Sequence, residues 1–186
     1  MLPCDANWLS RVNVVGCSGS GKSTLSRRLS ERLNHPYIEM DALFWKKGWT
    51  ESRDEEFFSS LEQALNRENW VLDGNYDRTV HIKWNKITAV IWVDYSFART
   101  LAQAVRRALS RAWTGAEIWP GTGNRESMIS AFFTKGSILL WTIRSHKSMR
   151  KRYQERMADP KFRHIRFVRL RSRAETRAFL DSLPNP

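Results

Sequence analysis

A glycine-rich octapeptide constrains this chain more than any other feature. Residues 16–23 read Gly-Cys-Ser-Gly-Ser-Gly-Lys-Ser and match the pattern G-x-x-x-x-G-K-[ST] in full. An apolar run at residues 12–15 precedes the motif, and Leu25, Leu29 and Leu33 follow it at helical spacing. A strand, a tight loop and a helix in this order are typical of a phosphate-binding loop, or P-loop.

The residues of this loop predict how ATP and Mg²⁺ would be bound. Its backbone N–H groups and the positive end of the following helix would face the phosphates. Lys22 would reach the β- and γ-phosphates, and the Ser23 hydroxyl would ligate Mg²⁺. Cys17 would contribute its backbone N–H more than its thiol. The predicted cofactor-binding residues are Gly16, Cys17, Ser18, Gly19, Ser20, Gly21, Lys22, Ser23 and Thr24.

The order of apolar segments predicts an α/β fold. Helix-compatible stretches or longer excursions follow each of five predicted strands, and this alternation favours a parallel sheet covered by helices on both faces. The predicted strands are residues 12–15, 37–40, 70–72, 87–93 and 165–170. Ser52 and Ser172, each followed three residues later by Glu, are predicted to cap helices.

The length of 186 residues, with 41% hydrophobic content, suits one domain with one core. Two segments interrupt the alternation of strands and helices. The first lies between the second and third strands, and the second is rich in glycine and flanked by arginines, which predicts a mobile lid or an ordinary surface loop. The predicted parts of the domain at residues 1–186 are a core at 10–41, 70–110 and 125–186, an excursion at 42–69 and a lid at about 111–124.

No apolar run approaches the about 18 residues that a membrane-spanning helix needs, and the first ten residues lack the basic start and the apolar run that a secretion signal would show. The two cysteines, Cys4 and Cys17, are too few for a disulfide framework. These features predict a cytoplasmic protein with reduced thiols and no membrane partner. They give no indication of the oligomeric state.

Positive charge is concentrated in the second half of the chain. Residues 99–177 contain 19 Lys and Arg against 5 Asp and Glu, a net charge of +14. The net charge of the whole chain is +12. The remainder of the chain is slightly acidic. This distribution suits a surface that faces a polyanion, so a nucleic acid is a less favoured second partner. A solvated basic face and the arginines of a phosphate-binding enzyme are the alternatives.

Acidic residues at the ends of two predicted strands are candidates for the metal site and the acceptor site. Asp73 follows the strand at residues 70–72, where open α/β sheets bind ligands, and it would hold Mg²⁺ from the second coordination shell. A turn-forming Asp-Gly pair is the alternative. Glu39 and Asp41 lie two residues apart on one side of their strand. We expect Asp41 to orient or deprotonate an acceptor hydroxyl; helix capping is the alternative.

Phosphoryl transfer depends mainly on positive charge around the moving group. Arg107 precedes the glycine-rich segment and Arg144 follows it, so either could approach the phosphates when a lid closes. Most arginines in this half would be ordinary surface charge. Trp45 and Trp49 in the excursion could stack on a base, although packing is the commoner role of tryptophan.

Taken together, these motifs resemble the P-loop small-molecule kinases, a group that includes adenylate kinase, other nucleoside monophosphate kinases, shikimate kinase and gluconate kinase. Within the group, the chain is most similar to bacterial adenylate-kinase-like proteins named topology modulation proteins. The similarity rests on residues 16–24, on Met40-Asp41-Ala42-Leu43-Phe44-Trp45 with Gly48-Trp49, on residues 70–76 and on residues 91–94.

The resemblance implies a P-loop NTPase fold of three layers, α/β/α, with a five-stranded parallel sheet in the order 2-3-1-4-5. It implies an ATP- and Mg²⁺-dependent phosphotransferase that acts on a nucleoside monophosphate or a small hydroxyl-bearing metabolite. The excursion would bind this acceptor. Arg107 falls where the group keeps a lid-helix arginine, whereas Gln103 occupies the position one turn earlier.

The acceptor stays open because the chain departs from the group's pattern. The Thr-Gly-Asp sequence that begins the acceptor region of adenylate kinases is absent, and residues 39–41, Glu-Met-Asp, resemble the acidic strand end of kinases that phosphorylate alcohols. The second hypothesis is a nucleotide-dependent DNA-binding or regulatory protein that affects DNA topology through its basic half. No helix-turn-helix or other recognised DNA-binding module is visible in the sequence.

Overall fold

The structure, a computed structural model, describes residues 6–115, 117–119, 121–125 and 138–184. Residues 1–5, Ala116, Pro120, 126–137 and 185–186 lie outside the described ones; the predicted lid includes Ala116 and Pro120, and the predicted core includes 126–137 and 185–186. The elements are β1 (Arg11–Gly16), α1 (Lys22–Leu33), β2 (Tyr37–Glu39), α2 (Met40–Phe44), β3 (Trp45–Lys46), β4 (Thr50–Glu51), α3 (Asp54–Ala64), β5 (Trp70–Asp73), α4 (Val80–Lys83), β6 (Ala89–Val93), α5 (Phe97–Thr114), α6 (Ile138–Ala158), β7 (Arg166–Leu170) and α7 (Arg173–Asp181).

Five strands form one parallel sheet in the order β2-β5-β1-β6-β7. With the short β3–β4 hairpin set aside, this order is 2-3-1-4-5, so the predicted fold and topology are confirmed. The three central strands are apolar almost throughout, because helices cover both faces of a parallel sheet. The carboxyl ends of β1, β2 and β5 meet at one edge.

The core lies in two layers, one on each face of the sheet. Val14 and Val15 contribute to different layers because successive side chains of a strand point to opposite faces. Leu29 of α1 packs in the same layer as Val14. Phe57 of α3 and Tyr153 of α6 pack in the layer of Val15. The arrangement is the predicted α/β/α sandwich.

The two predicted serine caps have different outcomes. Ser172 accepts a hydrogen bond of 3.1 Å from the N–H of Glu175, so the cap of α7 is confirmed. The prediction for Ser52 was wrong, because Arg53 occupies the cap position of α3. The buried Ser52 hydroxyl instead donates to the carbonyl of Leu43 at 3.4 Å. Ser52 thus secures the end of the β3–β4 hairpin.

The segment predicted as a lid contains two kinds of structure. Residues 111–114 are the last turn of α5, which ends at Gly115 with a left-handed φ of 59°. A bridge between Glu117 and Arg125 brings the two ends of the following loop together.

Among the described residues, no helix is both long and apolar enough to cross a membrane.

Candidate functional site

The P-loop connects β1 to α1 through a tight turn that only glycine permits at two positions. Gly19 has a φ of 81° and Gly21 a φ of 93°. A Cβ atom at Gly19 would lie 2.7 Å from Cβ of Ala104 and 2.8 Å from the carbonyl oxygen of Thr100. The loop therefore sits directly against α5. No other residue could bring the backbone this close to that helix.

The N-terminus of α1 is suited to bind an anion. Gly21 is the N-cap residue, and no side chain caps the first turn. The N–H groups of this turn therefore point out of the helix, where they and the helix dipole would attract phosphate. Lys22 and Ser23 are half-buried in the same turn. The structure thus brings the predicted phosphate-binding residues together.

Asp73 lies at the end of β5, beside Val14 in register and next to Glu39 of β2. Its side chain is buried, and the Tyr37 hydroxyl donates a hydrogen bond of 2.9 Å to its Oδ2 atom. Its Oδ1 atom is buried without a hydrogen-bond partner among the described residues. A buried carboxylate oxygen is costly unless it is paired, so this atom requires a partner that the described residues do not supply.

The unpaired oxygen of Asp73 fits the predicted magnesium site. Mg²⁺ keeps several waters and binds through one or two protein groups plus substrate phosphates. Ser23 would be the direct ligand, and Asp73 would accept from a water on the ion. Among the described residues, no group of three or more His, Cys, Asp or Glu is placed to hold a metal ion.

Tyr37 keeps its proton beside these carboxylates. Burial raises the pKa of Tyr37, and the nearby carboxylates of Asp73 and Glu39 raise it further. The hydroxyl therefore acts as a hydrogen-bond donor to Asp73. No local pattern in the sequence marks Tyr37, because the pairing of β2 with β5 is what brings it to Asp73.

Asp41 lies in the first turn of α2 and is half-buried. Its Oδ1 atom accepts a hydrogen bond of 2.7 Å from the Tyr76 hydroxyl. The N-cap residue of α2 is Glu39, so Asp41 does not cap this helix. Burial and the Asp41 carboxylate raise the pKa of Tyr76, which keeps it protonated as the donor.

Glu39 is held differently from Asp41. Its Oε1 atom accepts from the indole N–H of Trp119 at 3.1 Å. Its Oε2 atom accepts from Tyr37 at 3.3 Å and from Arg27 at 3.4 Å. Both carboxylate oxygens of Glu39 are therefore engaged, whereas Asp41 has a bond to one oxygen only among the described residues.

Two side chains of α5 contact the P-loop. Arg107 donates a hydrogen bond of 2.9 Å to the Ser18 hydroxyl. Gln103, one turn earlier, donates to the carbonyl of Gly19 at 3.1 Å and accepts from Arg173 at 3.0 Å. The structure thus places the predicted Arg107 at the loop. Gln103 had been noted only for its position relative to the kinases.

Arg144 is less closely placed. It is exposed on α6, and none of its contacts within the described residues joins it to the P-loop. Its neighbour Ser145 lies closer, with its hydroxyl 3.6 Å from the sulfur of Cys17. Burial raises the pKa of Cys17, so the thiol is not activated as a nucleophile.

The loop after α5 contacts the excursion through aromatic and amide side chains. The indole of Trp49 stacks edge-on between Trp45 and Trp119, with ring centroids 5.6 Å and 5.8 Å away. Asn124 is buried; it accepts from the N–H of Trp49 at 2.9 Å and donates to the carbonyl of Lys46 at 2.9 Å. The segment predicted as a lid therefore lies against the predicted acceptor region.

The parallel sheet, the loop between β1 and α1, and the buried acid at the end of β5 define a P-loop nucleotide-binding protein. Residues 12–129 match the sequence profile of the family described as AAA domain. The match covers more than half of the chain, and the protein belongs to this family.

Two curated relatives have significant similarity to parts of the chain. A shikimate kinase from Sulfurihydrogenibium sp. (strain YO3AOP1) is 29% identical over an alignment of 110 residues, with coverage of 50% of this chain and 65% of the relative. The uncharacterized protein YqaC from Bacillus subtilis (strain 168) is 37% identical over 65 residues, 34% of this chain and 36% of the relative. The chain spans less than two thirds of either relative. The expected resemblance to P-loop small-molecule kinases is confirmed, whereas the adenylate-kinase-like subgroup stays a prediction.

Solved structures are similar at lower identity. A gluconokinase from Sinorhizobium meliloti 1021 has 17% identity and a TM-score of 0.49, covering 94% of this chain and 93% of that chain. A sugar kinase from Janibacter sp. HTCC2649 has 14% identity and a TM-score of 0.49, covering 91% and 89%. These values are too low to support an inference about the substrate.

Proposed function

We propose that this protein is an ATP- and Mg²⁺-dependent phosphotransferase that moves the γ-phosphoryl group of ATP to a nucleoside monophosphate or a small hydroxyl-bearing metabolite. The observation that carries the proposal is the unpaired, buried Oδ1 atom of Asp73 at the sheet edge from which the P-loop emerges. A phosphate site and an unsatisfied carboxylate at one edge suit a nucleotide with its metal.

Each P-loop residue has a defined part in this proposal. Lys22 places its ammonium group on the β- and γ-phosphates, and the N–H groups of the first turn of α1 bind the same oxygens. Ser23 and, through water, Asp73 would hold Mg²⁺. When bound, the ion would neutralise charge on the phosphate oxygens.

Asp41 would act on the acceptor. Its Oδ2 atom would accept the proton of the acceptor hydroxyl while the Tyr76 hydroxyl holds Oδ1 in place. The acceptor oxygen then bonds to the γ-phosphorus as the bond to the departing ADP oxygen breaks. Proton and phosphoryl group move in one step, and the proton ends on Asp41.

The basic residues would stabilise the charge of the moving group. Arg107 contacts the P-loop through Ser18, and from this position it would bind the γ-phosphate. Arg144 would join when the nucleotide is bound. The contacts of Trp119 and Asn124 with Trp49 of the excursion would keep the loop after α5 over the acceptor and exclude water.

The choice of acceptor rests on two supports. The similarity to a shikimate kinase supports kinase chemistry on a small molecule. The carboxylate of Glu39 at the end of β2 and that of Asp41, which lies in the first turn of α2 and not on the strand as predicted, favour an acceptor that presents a hydroxyl group. The adenylate-kinase-like and topology modulation assignments belong to this proposal and are not separate conclusions.

The proposal is tested by incubating the purified protein with γ-labelled ATP, Mg²⁺ and a panel of nucleoside monophosphates, sugars and small alcohols. We expect label transfer to at least one acceptor, and none with the Lys22→Ala variant. A matched control is Lys86→Ala, which changes an exposed lysine far from the loop in sequence. ATP binding that is the same in wild type and Lys22→Ala would contradict the proposal.

A further inference from the structure

The side chain of Asn75 continues the central sheet where the main chain no longer can. The ladder between β1 and β5 ends with a hydrogen bond of 3.2 Å from the N–H of Gly74 to the carbonyl of Val14. Beyond it, the Asn75 Oδ1 atom accepts from the N–H of Gly16 at 3.0 Å. The Asn75 Nδ2 atom donates to the Gly16 carbonyl at 2.8 Å. One amide side chain thus pairs with both backbone groups of the first P-loop residue.

Gly16 is held on its other side by the sheet itself. It pairs with Val93, the last residue of β6. Gly16, at the start of the P-loop, is therefore fixed by main-chain pairing with β6 on one side and by the Asn75 amide on the other. A rotation of the Gly16 peptide would redirect the N–H groups that follow it, so its orientation matters for phosphate binding.

A buried lysine is hydrogen-bonded to the main chain of Asn75. Lys83 is 0% exposed, and its amine donates a hydrogen bond to the backbone carbonyl of Asn75. The second neighbour of the amine is the sulfur of Met40 at 3.8 Å. Burial lowers the pKa of Lys83, and the charge of Arg156 lowers it further. An apolar side chain would avoid this desolvation cost, so the bond to Asn75 is the specific contribution of the amine.

The residues on either side of Asn75 contact the other parts of the site. Asp73, two residues earlier, carries the unpaired oxygen that suits the magnesium site. Tyr76, the next residue, bonds to Asp41. The backbone of Tyr76 has a φ of 21°, which is unusual for a residue other than glycine and persists only where surrounding contacts hold it. Gly74 packs so closely on Met40 that a Cβ atom would lie 2.8 Å from it.

We propose that Asn75 is a positioning residue, held by Lys83, which sets the P-loop in register with the carboxylates of Asp73 and Asp41. The inference rests on the proposed function, since it assigns Asn75 a part in binding ATP with its metal. Asn75 itself does not touch the substrate. Through its two hydrogen bonds, Asn75 fixes the peptide of Gly16 relative to the segment at residues 73–76.

The test measures nucleotide affinity by calorimetry at low temperature, with Mg²⁺ and with EDTA, on variants whose folding is checked by circular dichroism. We expect Asn75→Ala to weaken ATP·Mg²⁺ binding by about tenfold or more, because two hydrogen bonds to Gly16 are lost. We also expect Mg²⁺ to improve its ATP affinity less than it improves that of wild type, because the loop and Asp73 are no longer aligned. Asn85→Ala is the control, since the bond of Asn85 among the described residues is to a helix carbonyl, that of His81, at the surface.

A second variant separates positioning from simple destabilisation. Lys83→Met keeps the volume and removes the bond to Asn75, so we expect a smaller loss of ATP·Mg²⁺ affinity in the same direction. The double variant should bind ATP·Mg²⁺ no more weakly than Asn75→Ala alone, because Lys83 is proposed to act on Gly16 through the Asn75 side chain, which Asn75→Ala already removes.

Wild-type ATP·Mg²⁺ affinity in folded Asn75→Ala would overturn the inference. If Asn75→Ala does not fold, wild-type affinity and an unchanged effect of Mg²⁺ in Lys83→Met would overturn it instead. Failure of the wild-type protein to bind ATP at all would contradict the proposed function, and it is a separate result from either of these.

Discussion

The guanidinium of Arg107 lies 2.9 Å from the Ser18 hydroxyl, so α5 is bonded to the P-loop through a side chain of each. Gly19, the next residue of the loop, packs against the same helix at Ala104 and Thr100. The P-loop is therefore clamped between the sheet and α5. Changes in α5 are expected to act on the phosphate site, whereas changes on the opposite face of the sheet should act mainly on stability.

The first prediction concerns Lys22. Replacing it with alanine should abolish ATP-dependent phosphoryl transfer, because the positive charge on the β- and γ-phosphates is lost. The fold should be retained, since alanine is a good helix former at the start of α1. Turnover is measured with labelled ATP and folding by circular dichroism. Turnover within a few-fold of wild type would refute the P-loop assignment.

The second prediction concerns the metal. Transfer should require Mg²⁺ or Mn²⁺, and Asp73→Asn should lose most of it, because an amide cannot replace the carboxylate charge near the cation. The Tyr37 hydroxyl can still donate to the amide oxygen, so the unfolding temperature without ligand should change little. Thermal unfolding with and without ATP and Mg²⁺ separates the two effects. Full activity after EDTA treatment would require both metal assignments to be withdrawn.

The third prediction concerns Asp41. Asp41→Asn should depress turnover much more than it depresses ATP affinity, because Asp41 is proposed to act on the acceptor hydroxyl. Tyr76→Phe should have a smaller effect in the same direction, since it removes only the bond that orients Asp41. Steady-state kinetics and ATP calorimetry make the comparison. An equal loss of ATP affinity in Asp41→Asn would point to a metal role instead.

The fourth prediction concerns the pH dependence of stability. The pKa of Lys83 is lowered in the folded protein by burial, so the unfolded chain binds more protons at this site below its ordinary pKa of 10.5. The stability of wild type relative to Lys83→Met should therefore rise with pH, from the folded pKa of Lys83 up to that value. Urea denaturation at a series of pH values tests this. A difference that stays constant, or that falls as pH rises, would show that Lys83 is not buried as described.

Much of this architecture was accessible from the sequence because local patterns encode it. Apolar runs marked the five strands of the sheet, and the glycine pattern located the loop and the start of α1 at Lys22. The order of residues predicted that Asp73 lies at the carboxyl end of its strand, where the structure has it. Each of these inferences needs only neighbouring residues and the rules of strand and helix periodicity.

Features that depend on long-range contacts were not predicted. The bonds of Asn75 to Gly16 join residues 59 positions apart. Nothing local distinguishes Lys83 from an exposed lysine. The cap assigned to Ser52 was wrong because tertiary contacts with Leu43 outweighed a local pattern. Such contacts depend on how strands are ordered in space, which a single sequence does not specify in detail.

Several arginines in the basic half of the chain form ion pairs within the protein. Asp94 pairs with Arg150 at 3.2 Å and with Arg169 at 2.5 Å. Asp77 pairs with Arg152 and, at 2.9 Å, with Arg156. These four arginines of residues 99–177 are thus bound within the protein. These ion pairs do not distinguish the kinase hypothesis from the DNA-binding hypothesis, so the two are compared by experiment.

The last prediction makes that comparison. Replacing Arg107 or Arg144 with alanine should cut turnover by about a hundredfold or more, because arginines at the transferring group act on charge that develops during the reaction. Arg106→Ala, an exposed change on the same helix as Arg107, is the control and should have little effect. The Arg107 variant also loses its bond to Ser18, so its ATP affinity should fall as well.

Retention on immobilised DNA at increasing salt is measured on the same variants, with and without ATP. It should hardly change, because the loss of one phosphate contact among many lowers the salt slope by only about one unit. Lysine at each position keeps the charge but loses the planar fork, and we expect little recovery of turnover at Arg144 and some at Arg107. Intact turnover together with lost DNA retention would instead favour the DNA-binding hypothesis, because the basic residues would then serve a nucleic acid and not the phosphoryl group.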